Sequence, residues 1–197
     1  NVDVVRPQGS MIIDVGGGTT DIAVISLGGV VIGESLRFAG DTMDDAIVKY
    51  VRKRFQLSIG TSTAEEVKIK IGKAHPDVED YEMEVKGRDV MTGLPKKIVL
   101  NSTEVLEALD EILKMLIVGV RNVLEKTPPE LASDIMSEGI YLVGGGSKLR
   151  GLDKLITQET GLQTISVSEP EYCVALGTGK LLDNEQLLMT VASAYGV

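Results

Sequence analysis

The sequence has very few of the residues that build disulfides and transition-metal sites. Its 197 residues include one cysteine, one histidine and no tryptophan. A single cysteine excludes an intramolecular disulfide framework and is typical of a reducing compartment. With one imidazole and one thiol, a zinc site made of cysteine and histidine ligands is not expected. We expect both residues to be structural, Cys173 as a buried helix thiol and His75 as a loop residue.

An excess of positive charge and long apolar runs are also missing. The 20 basic and 29 acidic residues give a formal net charge of −9, which disfavours a protein that tracks a nucleic-acid backbone. No apolar run approaches the ~20 residues of a membrane-spanning helix, and the N-terminus has no signal-peptide pattern. The composition is that of a globular protein of one or two domains. A first residue of Asn1 instead of methionine suggests a piece of a longer protein.

Hydrophobic periodicity predicts an α/β fold with a mixed sheet flanked by helices. Strands are predicted at Met11–Val15, Thr20–Ser26, Val30–Arg37, Ile140–Val143 and Leu162–Val167. Helices are predicted at Asp41–Gln56, Ser102–Lys126, Lys148–Glu159 and Tyr172–Leu182. Asp41 is a candidate N-cap of the first helix, and Asn101 with Glu104 marks the start of the second. Residues after Asp183 are expected to form one more helix or a fraying tail.

The stretch from residue 60 to residue 100 predicts a small inserted α+β subdomain. Ser62 and Thr63 begin two overlapping capping boxes, which favour a short helix that ends near Gly72. Alternating residues from Tyr81 then predict a strand with one wet face, followed by a second strand at Lys97–Leu100. We therefore expect residues 1–59 and 101–197 to form the core of a lobe, with 60–100 inserted into it.

Three consecutive glycines, Gly16, Gly17 and Gly18, separate the first two predicted strands. P-loops and Rossmann turns lead directly into a helix, so this segment is neither. A tight glycine hairpin can turn successive backbone N–H groups to one side and form a nest for phosphate oxygens. Asp14, at the end of a buried strand, would be placed to hold Mg²⁺ through water. A simple hairpin turn explains the three glycines alone equally well.

Two further features have the same double explanation. The segment Gly144-Gly145-Gly146-Ser147 follows a buried strand and precedes a helix, where ligands commonly bind in α/β proteins, but a tight turn would use the same residues. Glu65 and Lys68 share one face of a helix and could bond a ribose and a base. They could equally form a solvated ion pair.

Together these motifs resemble the actin, sugar kinase and heat-shock chaperone ATPase superfamily. More closely, they resemble the second, C-terminal half of the bacterial actin homologues of the MreB/Mbl type. The matching words are DVGGGTTDIAVISLGG at 14–29, AGDTMDDAI at 39–47, TAEEVKIKIG at 63–72, GRDVMTGLPK at 87–96, TPPELASDI at 127–135 and LVGGGSKLRGLDKLI at 142–156. They follow the family's order across almost the whole chain.

The resemblance implies one lobe of the actin-like, ribonuclease H-like fold. It further implies an ATP-dependent cytoskeletal filament protein that maintains rod cell shape and directs cell-wall synthesis. Its cofactors would be ATP or ADP with Mg²⁺. Its partners would be further copies of itself, a missing N-terminal lobe and the membrane proteins of cell-wall elongation. It would be cytoplasmic, with filaments at the inner face of the membrane, and would use neither nucleic acid nor direct membrane insertion by this lobe.

The resemblance also assigns site residues. Gly17, Gly18 and Thr19 would contact the β- and γ-phosphates, and Asp14 would position Mg²⁺ and the attacking water. The full set of implied nucleotide contacts is Gly16, Gly17, Gly18, Thr19, Thr20, Glu65, Glu66, Val67, Lys68, Gly72, Gly144, Gly145, Gly146, Ser147 and Lys148. The inserted subdomain would meet the next subunit along a protofilament.

One part of the family pattern does not occur in this sequence. The first lobe of such proteins supplies another phosphate loop, of the type G-x-D-x-G-T, and a catalytic acid. Because phosphoryl transfer needs charge stabilisation from both sides of the phosphate, we expect this lobe alone to be nearly inactive. Two other functions stay open, a small-molecule kinase of the same superfamily and a scaffold lobe that acts only through a protein interface.

Overall fold

The computed structural model describes residues 7–183 and 188–189. The helix or tail predicted after Asp183 lies largely outside these residues. The strands are β1 (Ser10–Val15), β2 (Thr20–Ser26), β3 (Gly29–Leu36), β4 (Leu57–Ser58), β5 (Glu82–Asp89), β6 (Pro95–Asn101), β7 (Ile140–Val143) and β8 (Thr164–Ser166). The α-helices are α1 (Gly40–Phe55), α2 (Thr61–Ile71), α3 (Ser102–Lys126), α4 (Pro129–Glu138), α5 (Leu152–Thr160) and α6 (Cys173–Leu182). The predicted α/β class is confirmed.

The larger sheet has five strands in the order β3-β2-β1-β7-β8. Strands β1, β2 and β3 form an antiparallel meander, whereas β7 is parallel to β1 and β8 is parallel to β7. The side chains of Met11, Ile13 and Val15 on one face of β1 are completely buried. The carboxyl ends of β1, β7 and β8 therefore lie side by side at one edge of the sheet.

Helix α3 covers one face of this sheet and also packs against α1. A Cβ on Gly119 would lie 2.5 Å from Cδ1 of Leu36, so glycine allows α3 to approach β3 closely. The capping box of α3 is confirmed. Asn101 Oδ1 accepts a hydrogen bond from the N–H of Glu104, and Glu104 Oε2 accepts one from the N–H of Asn101. None of the helices within the described ranges is both long and apolar enough to cross a membrane.

The smaller sheet has three antiparallel strands in the order β4-β5-β6. It begins at Leu57, slightly before the predicted insertion. Val85 and Leu100 of this sheet are buried in the same apolar cluster as Val67 of α2 and Val51 of α1. The division of the chain into a core and an insertion at 60–100 stays a prediction.

Several local predictions were wrong. Ala39, not Asp41, is the N-cap residue of α1, and α2 begins after Gly60 with no side-chain cap, so the two predicted capping boxes do not form. Helix α5 begins only at Leu152, because Gly145–Lys148 form a 3₁₀ turn. The thiol of Cys173 is partly exposed instead of buried.

His75 is a structural loop residue, as predicted. Its Nδ1 accepts a hydrogen bond from the N–H of Asp77, so the proton is on Nε2, which donates to Oε1 of Gln158 at 2.7 Å. The ring is buried and ties the loop after α2 to α5.

Candidate functional site

The two glycine motifs of the sequence meet in space. Gly16–Thr19 follows β1 and Gly144–Ser147 follows β7, and these strands are parallel neighbours. A Cβ on Gly146 would lie 2.6 Å from Cγ1 of Val15. Loops at the carboxyl ends of adjacent parallel strands are the usual place for a ligand in α/β proteins. The arrangement therefore provides one continuous glycine-rich surface.

The loop after β1, Gly16–Thr19, presents free backbone donors. The turn is closed by the N–H of Gly16, which donates to Thr19 O at 2.9 Å. Gly17, Gly18 and Thr19 are exposed, and their N–H groups donate to no acceptor among the described residues. A Cβ on Gly18 would meet no atom within 4 Å, so the space over the turn is open. Such a turn has the form of an anion nest.

The first turn of α1 supports this loop from behind. The N–H of Gly40 donates to Gly16 O at 3.1 Å, and the N–H of Asp41 donates to Gly17 O at 2.9 Å. The first N–H groups of a helix have no partner inside the helix, so they need acceptors elsewhere. Here the loop carbonyls supply them, which explains why α1 has no side-chain cap.

Two carboxylates lie beside the loop. Asp14 and Asp21 are paired in the β1–β2 register, and Thr19 Oγ1 donates to Asp21 Oδ2 at 3.0 Å. Burial raises the pKa of the Asp14 carboxyl, and the negative charge of Asp21 raises it further. The sequence reasoning missed Asp21, although a two-residue turn at Gly17 and Gly18 makes the two aspartates symmetric about the hairpin.

The pair of aspartates fits the chemistry of Mg²⁺. The described residues contain no group of three or more His, Cys, Asp or Glu side chains that could hold a metal by themselves. Mg²⁺ does not need one, because it commonly takes one or two carboxylates, several waters and the phosphates of a ligand. Because burial first and the charge of Asp21 second disfavour the ionised form of Asp14, a cation bound there would favour that form.

The predicted residues of α2 do not all face this surface. Glu65 is exposed and borders a cleft of about 290 Å³ together with Asp41 and Asp44. Val67 is buried in the core, and Glu66 pairs with Lys70 at 2.6 Å. The amine of Lys68 is 2.9 Å from Gly40 O and 2.8 Å from Asp44 Oδ1.

Gly72 has a packing role in this structure. A Cβ there would overlap the carbonyl oxygen of Lys68 and lie 2.9 Å from Cδ1 of Leu149. Its carbonyl accepts from Nε of Arg150 at 3.0 Å. Gly72 thus joins the end of α2 to the segment that follows the second glycine motif.

Two predicted hydroxyl groups form internal bonds. Thr20 Oγ1 donates to Phe38 O at 2.8 Å, and Ser147 Oγ donates to Gly144 O at 2.6 Å. Both residues are buried. In this structure their internal hydrogen bonds stabilise the conformations of the two loops.

The second glycine loop is open at Gly145 and crowded at Gly144. A Cβ on Gly145 would meet no atom within 4 Å, whereas one on Gly144 would overlap Asp14 Oδ1 and Val15 O. Gly144 also has a φ of 83°, and its N–H donates to Pro170 O at 3.0 Å. Lys148 pairs with Glu171, which lowers the pKa of that carboxyl, at the side of a cleft of about 380 Å³.

Comparison with known proteins identifies relatives of the chain. Residues 1–190 match the family model described as MreB/Mbl protein. The chain is 44% identical over 183 residues to the cell shape-determining protein Mbl of Bacillus subtilis, covering 93% of this chain and 55% of Mbl. It is 50% identical over 180 residues to the cell shape-determining protein MreB of Escherichia coli, covering 91% of this chain and 52% of MreB.

A solved structure agrees with the fold. The crystal structure of MreB5 of Spiroplasma citri bound to ADP matches with a TM-score of 0.90 and 40% identity. The match covers 93% of this chain and 56% of MreB5. The chain thus spans about half the length of the relatives that it matches.

Proposed function

This chain belongs to the MreB/Mbl protein family, and we propose that it is the nucleotide-binding lobe of an ATP-dependent, actin-like cytoskeletal filament protein. The observation that carries the proposal is that the N–H groups of the exposed residues Gly17, Gly18 and Thr19 donate to no acceptor in the described part of the chain, next to the open glycine loop at Gly145. The ADP in the MreB5 crystal structure supports a nucleotide as the ligand. The names of the Mbl and MreB relatives support a role in determining cell shape, and we propose that this role is to maintain rod shape and direct cell-wall synthesis.

The phosphates would bind at the β1–β2 turn. Backbone N–H groups in a nest provide fixed partial positive charge without a side chain, and the absence of a Cβ at Gly17 and Gly18 leaves room for phosphate oxygens. Mg²⁺, when bound, would neutralise charge on the β- and γ-phosphates. Asp14 would hold it through water, and Asp21 is placed to help.

The adenosine would lie against the second glycine loop. Gly145 and Gly146 provide a backbone surface without side chains, and Lys148 lies at its edge. Glu65 of α2 borders the cleft beside Asp41, whereas Glu66 pairs with Lys70, so Glu65 is the carboxylate of that helix that we propose for a ribose hydroxyl. The site would thus use both glycine loops and one face of α2.

Hydrolysis would need residues beyond these. A transferring phosphoryl group has to be stabilised on both sides, and the residues of this chain line one side. We therefore propose that this lobe alone binds nucleotide weakly and hydrolyses it hardly at all. The facing wall would come from the half of the relatives that this chain does not match.

Self-assembly would use the tip of the β5–β6 hairpin. Met91 and Leu94 are 80% and 65% exposed there, and with the exposed Val90 they place three large apolar side chains within five residues, as an interaction site would. We place a contact with the next copy of the protein at this tip. The filaments would be cytoplasmic, at the inner face of the membrane, where membrane proteins of cell-wall elongation would be the partners.

Calorimetric titration with ADP and Mg²⁺ tests the nucleotide role. The wild-type lobe should release heat at micromolar to millimolar ligand, and the full-length protein should bind more tightly because both walls are present. Electron microscopy of the full-length protein with ATP and Mg²⁺ should show filaments. Absence of both binding and filaments in the full-length protein would refute the proposal and leave the interface-only scaffold.

A further inference from the structure

Lys68 makes a set of contacts that differs from those of an exposed ligand-binding lysine. Its side chain is only 14% exposed. Three oxygen atoms surround the amine, namely Gly40 O at 2.9 Å and the two carboxylate oxygens of Asp44 at 2.8 and 2.9 Å. Two of these contacts, those to Gly40 O and Asp44 Oδ2, are hydrogen bonds, whereas Asp44 Oδ1 is an ion-pair contact, so α1 uses two of the three N–H donors of the ammonium group.

Gly40 is the junction between Lys68 and the phosphate loop. Its N–H donates to Gly16 O, and its own carbonyl accepts from Lys68. A Cβ at this position would lie 3.3 Å from both Gly16 O and the Lys68 amine. Glycine therefore lets the loop and the amine approach the first turn of α1 from two sides.

The Asp44 carboxylate depends on this lysine. Burial raises the pKa of Asp44, and the Lys68 ammonium opposes that rise through a hydrogen bond and its charge. Glu65 and Asp41 add negative charge nearby. Without Lys68, a buried carboxylate would stand in an acidic surrounding with no cation beside it, which is strongly unfavourable.

The series of contacts that begins at the phosphate loop continues into the three-stranded sheet. Lys68 belongs to α2, which packs against β5, and β5 leads to the exposed hairpin tip at Met91 and Leu94. Direct hydrogen bonds thus link Gly16 and Gly17 to α1 and then α1 to α2. Such contacts can couple ligand binding at the loop to the conformation of α2 when the loop and α2 each have two arrangements.

We infer that Lys68 is a positioning residue that couples the phosphate loop to α2, instead of a direct ligand of the nucleotide. A phosphate held at Gly17, Gly18 and Thr19 fixes the loop, the loop fixes the first turn of α1, and Lys68 transmits this order to α2. The inference rests on the proposed function, because it takes a nucleotide as the ligand. It departs from the sequence-based expectation that Lys68 contacts adenosine.

Hydrogen exchange on the full-length protein, with and without ADP and Mg²⁺, tests this coupling. The variants are Lys68→Met, which keeps the aliphatic stem, and Lys68→Arg, which restores a cation. Lys70→Met is the matched control, since Lys70 lies on the same helix and, among the described residues, pairs only with the exposed Glu66. In wild type and Lys70→Met, ADP should slow exchange at both the phosphate loop and residues 61–71.

In Lys68→Met, ADP should still protect the phosphate loop but should lose most of its effect on residues 61–71, and Lys68→Arg should restore part of it. Nucleotide affinity should change by less than about tenfold, which lies in the lower part of the range typical of allosteric coupling. Asp44→Asn breaks the same ion pair and should give the same pattern, so the test survives if Lys68→Met does not fold.

Two results would overturn the inference. One is full protection of residues 61–71 by ADP in Lys68→Met and Asp44→Asn. The other is a loss of ADP affinity of about a hundredfold or more in folded Lys68→Met, with Asp44→Asn unaffected, since that pattern marks a direct ligand. Failure of the proposed function is seen separately, as an absence of ADP binding by the wild type.

Discussion

Asp14 and Asp21 lie directly opposite each other in the first two strands, next to the glycine turn that joins these strands. The pKa of Asp14 is raised by burial and by the charge of its neighbour. A protein optimised only for stability would not keep two carboxylates together beside a nest of backbone donors. This pairing is understandable if a cation and an anion bind there together, as Mg²⁺ and a phosphate do.

Asp21→Asn tests this relationship through pH. In the wild type, the raised pKa means that the stability contributed by Asp14 is fully present below its ordinary pKa of 3.8 and is lost as pH rises through the folded-state pKa. Removing the neighbouring charge should reduce that loss and stabilise the protein at neutral pH by no more than about 0.5 kcal/mol, because Asp21 is exposed and solvent screens its charge. Urea denaturation between acidic and neutral pH measures this, with Asp45→Asn as control.

The same substitution should weaken Mg²⁺-dependent nucleotide binding. The gain in stability and the loss of binding have one cause, since the repulsion that destabilises the free protein is what a cation relieves. If Asp21→Asn lowers stability at neutral pH, or leaves the Mg²⁺ dependence of ADP binding unchanged, the two carboxylates do not act together.

Gly144→Ala and Gly145→Ala form a matched pair. Gly144 has a positive φ and no room for a Cβ, so its replacement should destabilise the fold by about 2 kcal/mol or more. Gly145 faces open space, and its replacement should change stability by less than about 0.5 kcal/mol while lowering ADP affinity. Thermal unfolding and calorimetry measure both effects. Unchanged ADP affinity in Gly145→Ala would place the ligand elsewhere.

Local sequence signals predicted the helices and strands well but predicted poorly which distant residues they contact. Alternation fixed β2 at Thr20–Ser26, and the Asn101 and Glu104 pair located the start of α3. The N-cap of α1 was predicted wrongly because the first N–H groups of the helix, those of Gly40 and Asp41, donate to the carbonyls of Gly16 and Gly17. These acceptors lie far from the helix start in sequence, so they do not form a local capping motif. Sequence periodicity carries no information about such tertiary acceptors.

The site was predictable in its parts but not in its assembly. Both glycine motifs are visible in the sequence, yet their contact depends on β7 pairing with β1 after more than a hundred intervening residues. Spacing on a helix suggested that Glu65 and Lys68 act together, whereas Lys68 pairs with Asp44 of another helix. Long-range pairings like these are set by packing of the whole core, not by local pattern.

Arg150 should prove important for joining α2 to the rest of the protein. Its guanidinium donates to Ile71 O, Gly72 O, Glu79 O and Ser102 Oγ and lies 4.2 Å from the ring centroid of Tyr81. We expect Arg150→Met to cost about 2 to 4 kcal/mol, because several carbonyls lose their donor at once.

Arg150→Lys should rescue little of this stability, since an ammonium cannot span the same planar set of acceptors. Urea denaturation measures the free energy of unfolding of the wild type, Arg150→Met and Arg150→Lys. Lys154→Met, on the exposed face of α5, is the control. A loss no greater than that of the control would mean that water replaces these contacts without penalty.

The hairpin tip provides the sharpest test of assembly. Met91 is 80% exposed on the β5–β6 hairpin, and Met136 is 72% exposed on α4, so the two methionines differ in place but hardly in environment. Changing either to serine should leave stability within about 0.5 kcal/mol, because neither side chain is buried in the folded chain. Met91→Ser should raise the critical concentration for filament formation by the full-length protein, because apolar area at a subunit contact would be lost. Met136→Ser should not. Light scattering with ATP and Mg²⁺ measures both variants, and equal critical concentrations would move the proposed contact away from the hairpin.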